Sequence, residues 1–238
     1  MSSSRVAVVI LVTIAGTTAS CGIGEQPVPV KGQVFIVTNA RIAMKLPLVE
    51  VLAIEMRLAL RHIDSVRTAR EHHTELALRE LDSLQRALSN QRAQLGFLRS
   101  TRADWTTRYI KNEISTEEWR AGDPVVNRAT WTTRATQDSV KAATTKLQLV
   151  RSDDHFFKNL PPSSSVAKTD ADGNFTLRLP PKAKAAIFAR AERLAFSSLE
   201  TYRWIVPIVV GTDTVESLLL TNDNLLEASL LPTRASWK

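Results

Sequence analysis

The chain has 238 residues, 44% hydrophobic and 23% charged, with 31 Lys and Arg against 24 Asp and Glu for a formal charge of +7. That length allows one ordinary domain plus a sizeable elaboration, and a single cysteine excludes a disulfide framework. The arginines are dispersed along helix-forming stretches rather than clustered, so the positive charge reads as a solvated face and no nucleic-acid partner is expected.

At the N-terminus a short polar segment carries Arg5, and Val6 to Ala15 is an apolar run broken only by Thr13. Spanning a hydrocarbon core of ~30 Å takes roughly 20 apolar residues, so this run reads as the h-region of an export signal. Small residues follow up to Cys21. The stretch Thr18-Ala19-Ser20-Cys21 resembles the lipobox of bacterial lipoproteins, with Thr18 standing where that family carries Leu or another aliphatic residue. The resemblance implies that residues 1–20 are removed and that Cys21 is diacylated as the mature N-terminus. The alternative is an ordinary secretory signal that leaves a free thiol, an odd choice in an oxidising compartment. Losing Arg5 leaves 30 − 24 = +6 on the mature chain. Gly22, rather than Asp, follows the cysteine, which directs the expectation to an outer membrane and its periplasmic face. No later apolar run is long enough to cross a bilayer.

Residues 21–30 contain Gly22, Gly24, Pro27 and Pro29 and read as a tether. Residues 31–54 are strand-like: Gln33 to Thr38 is β-branched and aromatic, and Leu46 to Ile54 forms a second run in which Pro47 suggests an edge or a strand start. Residues 55–157 change period. Ala77, Leu81, Leu84, Leu88, Leu95, Leu98, Trp105 and Tyr109 recur in steps of four and three, with Gln91 and Arg102 filling the missing places. The spacing predicts a helix from near Met56 to near Asn112 with a coiled-coil seam. Ser115 and Glu118 form an expected capping box. Gly122-Asp123-Pro124 then reads as a break, an N-cap and an N1 proline, opening a return helix that continues to Phe157. That helix is rich in threonine, so it is expected to depend on packing against the first. Residues 158–231 restore strand patterns at Val166–Thr169, Asn174–Leu179, Ala185–Glu192, Tyr202–Val210 and Glu216–Thr221, and 232–238 form a tail. The expected fold class is α+β, a seven-stranded sandwich interrupted by a long antiparallel helical hairpin.

The hairpin sequence Thr169-Asp170-Ala171-Asp172-Gly173-Asn174-Phe175, preceded by Val30-Lys31-Gly32-Gln33-Val34, resembles carboxypeptidase regulatory-like domains, the transthyretin-like or prealbumin-like sandwiches. The resemblance covers the β part, about half the chain, and implies a non-catalytic binding, packing or folding module.

Candidate chemistry is sparse. Asp170, Asp172 and Asn174 open like a calcium loop, but Phe175 and Pro181 occupy the places of its glycine and its bidentate glutamate, so a turn is expected instead. His72 and His73 are adjacent on a helix and diverge by about 100°, too far to share one ion. Asp153-Asp154-His155 has no nucleophile elbow or glycine-rich loop beside it. The expectation is therefore no enzyme, no metal and no cofactor. Tyr202 and Trp204 share one strand face, as core residues or as the contacts of a sugar or a protein partner. The partners expected are the membrane, through Cys21, and another envelope protein, through the hairpin. A second reading rests on Ile114-Ser115-Thr116-Glu117-Glu118, which is similar to the hairpin-tip sequence of periplasmic adaptors of efflux or secretion systems. Asn159-Leu160-Pro161-Pro162 departs from the strand that resumes after their hairpin.

Overall fold

The computed structural model describes residues 26–38, 41–195, 197–211 and 217–226. Eight strands and three α-helices lie among them: β1 Val28–Val37, β2 Ala43–Lys45, β3 Glu50–Glu55, α1 Met56–Ile110, α2 Thr116–Ala121, α3 Asp123–Arg151, β4 Ser165–Lys168, β5 Asn174–Leu179, β6 Lys184–Ala195, β7 Ser198–Val209 and β8 Ser217–Leu220. The class is mixed α and β. Four strands form one sheet in which β1 pairs antiparallel with β5 and β2 and parallel with β8. The other four form an antiparallel sheet in the order β4-β3-β6-β7.

Alternation builds the first sheet. Val28, Val30, Val34 and Ile36 of β1 and Phe175, Leu177 and Leu179 of β5 turn inward, while Pro29, Lys31, Thr176 and Arg178 turn out. Their inner faces join Val51, Ala53, Ile187, Ala189, Trp204 and Leu220 in one buried cluster that both sheets share. Gly32 has a packing reason, because a Cβ there would lie 2.3 Å from the Phe175 ring and 2.5 Å from the Leu218 carbonyl. Gly173 has a conformational one, with φ +76° in the turn before β5.

Seven strands are expected from the pattern and eight are present among the described residues, the extra one being β2. The apolar run Leu46–Ile54 is also not one strand, since β3 begins only at Glu50. Pro47 offers no N–H to a ladder, and Leu48 turns the chain at φ +61°. Thr169, 2% exposed, closes that bend. Its hydroxyl accepts from Val49 N at 2.8 Å and donates to Leu46 O at 2.8 Å.

The helical region also departs from its expected ends. α1 spans 55 residues. α3 stops at Arg151 and not near Phe157, because Ser152 turns extended and its side chain accepts from Asp154 N, starting a 3₁₀ turn at Asp153–Phe157. Gly122, and not Asp123, is the N-cap residue of α3; Asp123 instead pairs with Arg102 at 2.7 Å. The two long helices run antiparallel, with Arg102 opposite Asp123 and Glu80 opposite Lys146. Ala77, Leu88 and Leu95 are buried on α1, and Thr133, Ala143 and Leu147 on α3. The threonines of α3 satisfy their hydroxyls within the helix: Thr130, Thr132, Thr133, Thr144 and Thr145 each donate to the carbonyl four residues back.

A second buried cluster lies outside the sandwich core. Ile54, Met56, Ala59 and Ile63 pack with Phe156 on the outer face of the second sheet, against Ala186, Phe188 and Ile205. This explains why Ala185 to Ala189 is buried on both faces of β6. The root of the helical arm is therefore part of the folded body, and cutting at 55 and 157 would uncover that face.

Candidate functional site: the helical arm, its root and its tip

The root is held by charge as well as by apolar packing. Arg70 on α1 donates to Asp153 at 2.8 Å and its guanidinium sits 5.7 Å from the Phe156 ring centre. Asp154 accepts from Arg203 Nε at 2.9 Å and Nη2 at 2.6 Å, with Arg190 at 3.6 Å. Two consecutive carboxylates on the 3₁₀ turn thus join α1 to β6 and β7. Burial pushes the Asp154 carboxyl up, but the hydrogen bonds from Arg203 and Ser152 and the nearby guanidinium charges outweigh it, leaving the group below its ordinary value. A depressed carboxylate contributes stability that is present above its unfolded pKa of about 4 and lost as pH falls through the lower folded value. Asp154→Asn should therefore cost about 1 kcal/mol near neutrality, discounted for partial exposure, and the gap to the parent chain should narrow as urea denaturation is repeated toward about pH 3. A gap that does not change with pH would mean that the carboxylate charge is not what holds the root.

The arm's tip is a small ordered unit. Ser115 Oγ accepts from Glu118 N at 3.2 Å and Glu118 Oε2 accepts from Ser115 N at 2.8 Å, the expected capping box. That backbone hydrogen bond leads the causes that lower the Glu118 carboxyl pKa. Tyr109 stacks on Trp119 with ring centres 5.1 Å apart, and Arg102 covers Trp119 at 4.2 Å. Gly122 brings α3 against Trp105 and Arg102, where a Cβ would lie 3.3 Å from both. Around this unit Ile110 is 74% exposed and Val125 is 52% exposed. Arg102 and Arg70 carry ion pairs, to Asp123 and Asp153, that no local sequence motif marks. Both occupy places on the apolar stripe of α1, and a charge on a buried seam is the signal that a partner must meet it.

The remaining candidates resolve individually. Trp204 is fully buried at 0% exposure, its indole N–H donating to Thr221 O at 2.8 Å, and Tyr202 stacks on it at 6.2 Å. A buried ring presents no face to a sugar, so the pair does not form a platform. The Tyr202 hydroxyl is pushed up in pKa by burial and by its hydrogen bond to Glu200. Asp170 Oδ1 accepts from Asp172 N and Asn174 N, each at 2.8 Å, which is a turn and not an ion site; the bond from Asn174 leads the causes that lower its pKa. His62 donates through Nε2 to Phe156 O at 3.0 Å, and His155 to Leu149 O at 2.9 Å. His72 and His73 are exposed. Among the described residues no group of three or more His, Cys, Asp or Glu could hold a metal, and no helix is long and apolar enough to cross a membrane. Cys21 lies outside the described residues.

The arm and the chain entry have opposite polarity. β1 begins at Val28, paired with Leu179, and Glu55 is paired with Ala185 at the same end of the sheets. α1 starts there, with Leu60 near Lys184. It then crosses the outer face past Phe188, and its root is fastened through Asp153 and Asp154 near Arg190 and Arg203. The arm thus leaves toward the end away from Val28. From Ile63, the last α1 residue buried in the root, to Ile110 is 47 residues (110 − 63), or about 70 Å at the helical rise.

No family model matches the chain, and no curated protein matches it. A solved structure described as the crystal structure of MacA from Actinobacillus actinomycetemcomitans is similar at a TM-score of 0.33 and 10% identity, covering 79% of this chain and 74% of that one. A likeness of that size carries no argument about function.

Proposed function

We propose that the chain is a non-enzymatic, lipid-anchored protein of the bacterial envelope that holds a helical arm away from the membrane to meet another envelope protein. In this reading residues 1–20 are the export signal and Cys21 is acylated in an outer membrane facing the periplasm. The tether is shorter than the expected 21–30, because β1 already begins at Val28. Residues 28–54 and 158–231 form a prealbumin-like sandwich, with residues 55–157 inserted as the arm. The observation that carries the proposal is the opposed placement of chain entry and arm, with an ordered tip about 70 Å beyond the root. A tip braced by stacked rings and an ion pair is preorganised, which reduces the ordering cost of association.

A photo-crosslinking residue at Asn112, in cells, should capture one envelope protein as a discrete adduct. The same residue at Gln85, midway along the arm, should capture far less. Equal, diffuse labelling from both positions would count against a partner at the tip. A second reading, an adaptor-like component of a transport or secretion system, is favoured by the capping box of Ser115 and Glu118 at the turn of the arm. Co-purification with an inner-membrane transporter would support that reading over the first.

A further inference from the structure

The end of the sheets where the chain enters is rich in cations. Arg178 is paired across the sheet with Pro29, next to the first strand residue, and Lys31 lies two residues further along the same outward face. Lys182 stands exposed in the turn between β5 and β6, and Lys184 begins β6 opposite Val209. None of these four side chains takes part in an ion pair among the described residues. Arg57, where α1 begins at the same end, is paired with Glu55 at 3.2 Å. The contrast with the arm's root is direct, because there Arg70, Arg190 and Arg203 each meet a carboxylate. Among the described residues, four cations without an ion pair thus lie together at the tether end, while three arginines at the arm's root are matched.

Resting on the lipid-anchored reading, we propose that this end is a membrane-contact surface and that Lys31, Arg178, Lys182 and Lys184 bind anionic phospholipid headgroups. The occupant follows from continuity and charge. Six residues separate Cys21 from Val28, and the seven Cα–Cα steps between them reach at most about 25 Å when extended. An acyl chain in the bilayer therefore holds these cations within reach of the headgroups, and the attraction acts once they come within a Debye length of about 10 Å. Basic residues at an anionic surface contribute about fivefold each to partitioning, and a basic patch is the second signal that turns reversible acyl insertion into stable attachment. The surface would also orient the protein, holding the sheets end-on so that the arm points away.

The test uses the mature polypeptide from Gly22 to Lys238 without acyl chains, which contains every described element. It is co-sedimented with vesicles of phosphatidylcholine alone or with phosphatidylglycerol added. Binding is expected to the mixed vesicles only, and to fall at least about tenfold on adding salt. The variant Lys31→Gln, Arg178→Gln, Lys182→Gln, Lys184→Gln should lose at least about tenfold. A charge-matched variant on the arm (Arg86→Gln, Arg99→Gln, Arg128→Gln, Lys141→Gln) should bind like the parent, with circular dichroism confirming both folds. Failure of the parent chain to prefer phosphatidylglycerol would overturn the proposal, as would equal losses from the two variants. Because acylation is absent throughout, either failure leaves the lipid anchor itself untouched, and that is tested separately on the cellular protein.

Discussion

Trp204→Ala should destabilise the folded body by about 3–5 kcal/mol, as expected for truncating a large, fully buried side chain. The indole fills the shared cluster between the two sheets, and its N–H is satisfied by Thr221 O at 2.8 Å. That bond ties the strand β7 to the turn after β8, where Asn222 bonds both Val37 N and Val37 O. Leu226 N, just beyond, bonds Arg203 O at 2.7 Å. Removing the ring therefore opens a cavity and unpairs a carbonyl at the place where both sheets and the chain after β8 meet. Trp204→Phe isolates the second effect: it keeps much of the volume, loses the donor, and should cost about 1–3 kcal/mol. Urea denaturation of the three chains gives the ordering. A Trp204→Ala cost within about 0.5 kcal/mol would place this residue on a surface and contradict the shared core.

Leu88→Ala should cost about 2–5 kcal/mol locally in the arm, toward the lower end because a two-helix arm relaxes more readily than a core. Leu88 is 7% exposed on the seam. Arg86, off the seam, is 74% exposed and pairs only with exposed Asp82, so Arg86→Ala should stay within about 0.5 kcal/mol. Both side chains favour helices similarly, so burial is what separates them. The return helix depends on this contact, since its threonines contribute little propensity. Amide exchange should therefore accelerate at Val140 and Leu147 in the Leu88 variant and not in the Arg86 variant. The root, fixed by the second cluster, should keep its protection. Equal effects from the two substitutions would mean that the repeat does not form a seam.

Periodicity made parts of this fold legible in the sequence. The β-branched and aromatic runs Gln33 to Thr38 and Asn174 to Leu179 mark strands, and the stripe from Ala77 to Tyr109 has the coiled-coil period; both kinds of element are present. Strand β1 nevertheless starts at Val28, inside the expected tether 21–30, because Val28 and Val30 pair with β5 and enter the core. Strand β2 was illegible because three residues, Ala43 to Lys45, cannot show a period. Leu46 to Ile54 misled because it is apolar throughout, while the ladder depends on N–H groups and Pro47 has none. Ala185 to Ala189 is legible as a strand, and its continuous apolar run also marks a strand covered on both faces. Its second cover is the root of the arm. The clamp through Asp153 and Asp154 had no local signal, because Arg70 lies 83 residues from Asp153 and Arg203 lies 49 from Asp154. The tip was half legible: the capping box is a local motif, whereas the stacking of Tyr109 on Trp119 required knowing how the arm folds back.

The central claim is that a membrane anchor lies at one end of the protein and a partner-binding arm reaches from the other. It is tested most directly by depth measurement on the acylated protein, purified from cell membranes and reconstituted in bilayers. A fluorophore is attached through a cysteine placed either at Lys182, near the chain entry, or at Asn112, at the tip, and quenched by headgroup-labelled lipid. The account predicts strong quenching at Lys182 and none at Asn112, which would stand tens of ångströms above the surface. Quenching at Asn112 equal to that at Lys182, or a protein that leaves the bilayer on reconstitution because Cys21 carries no acyl chain, would contradict it.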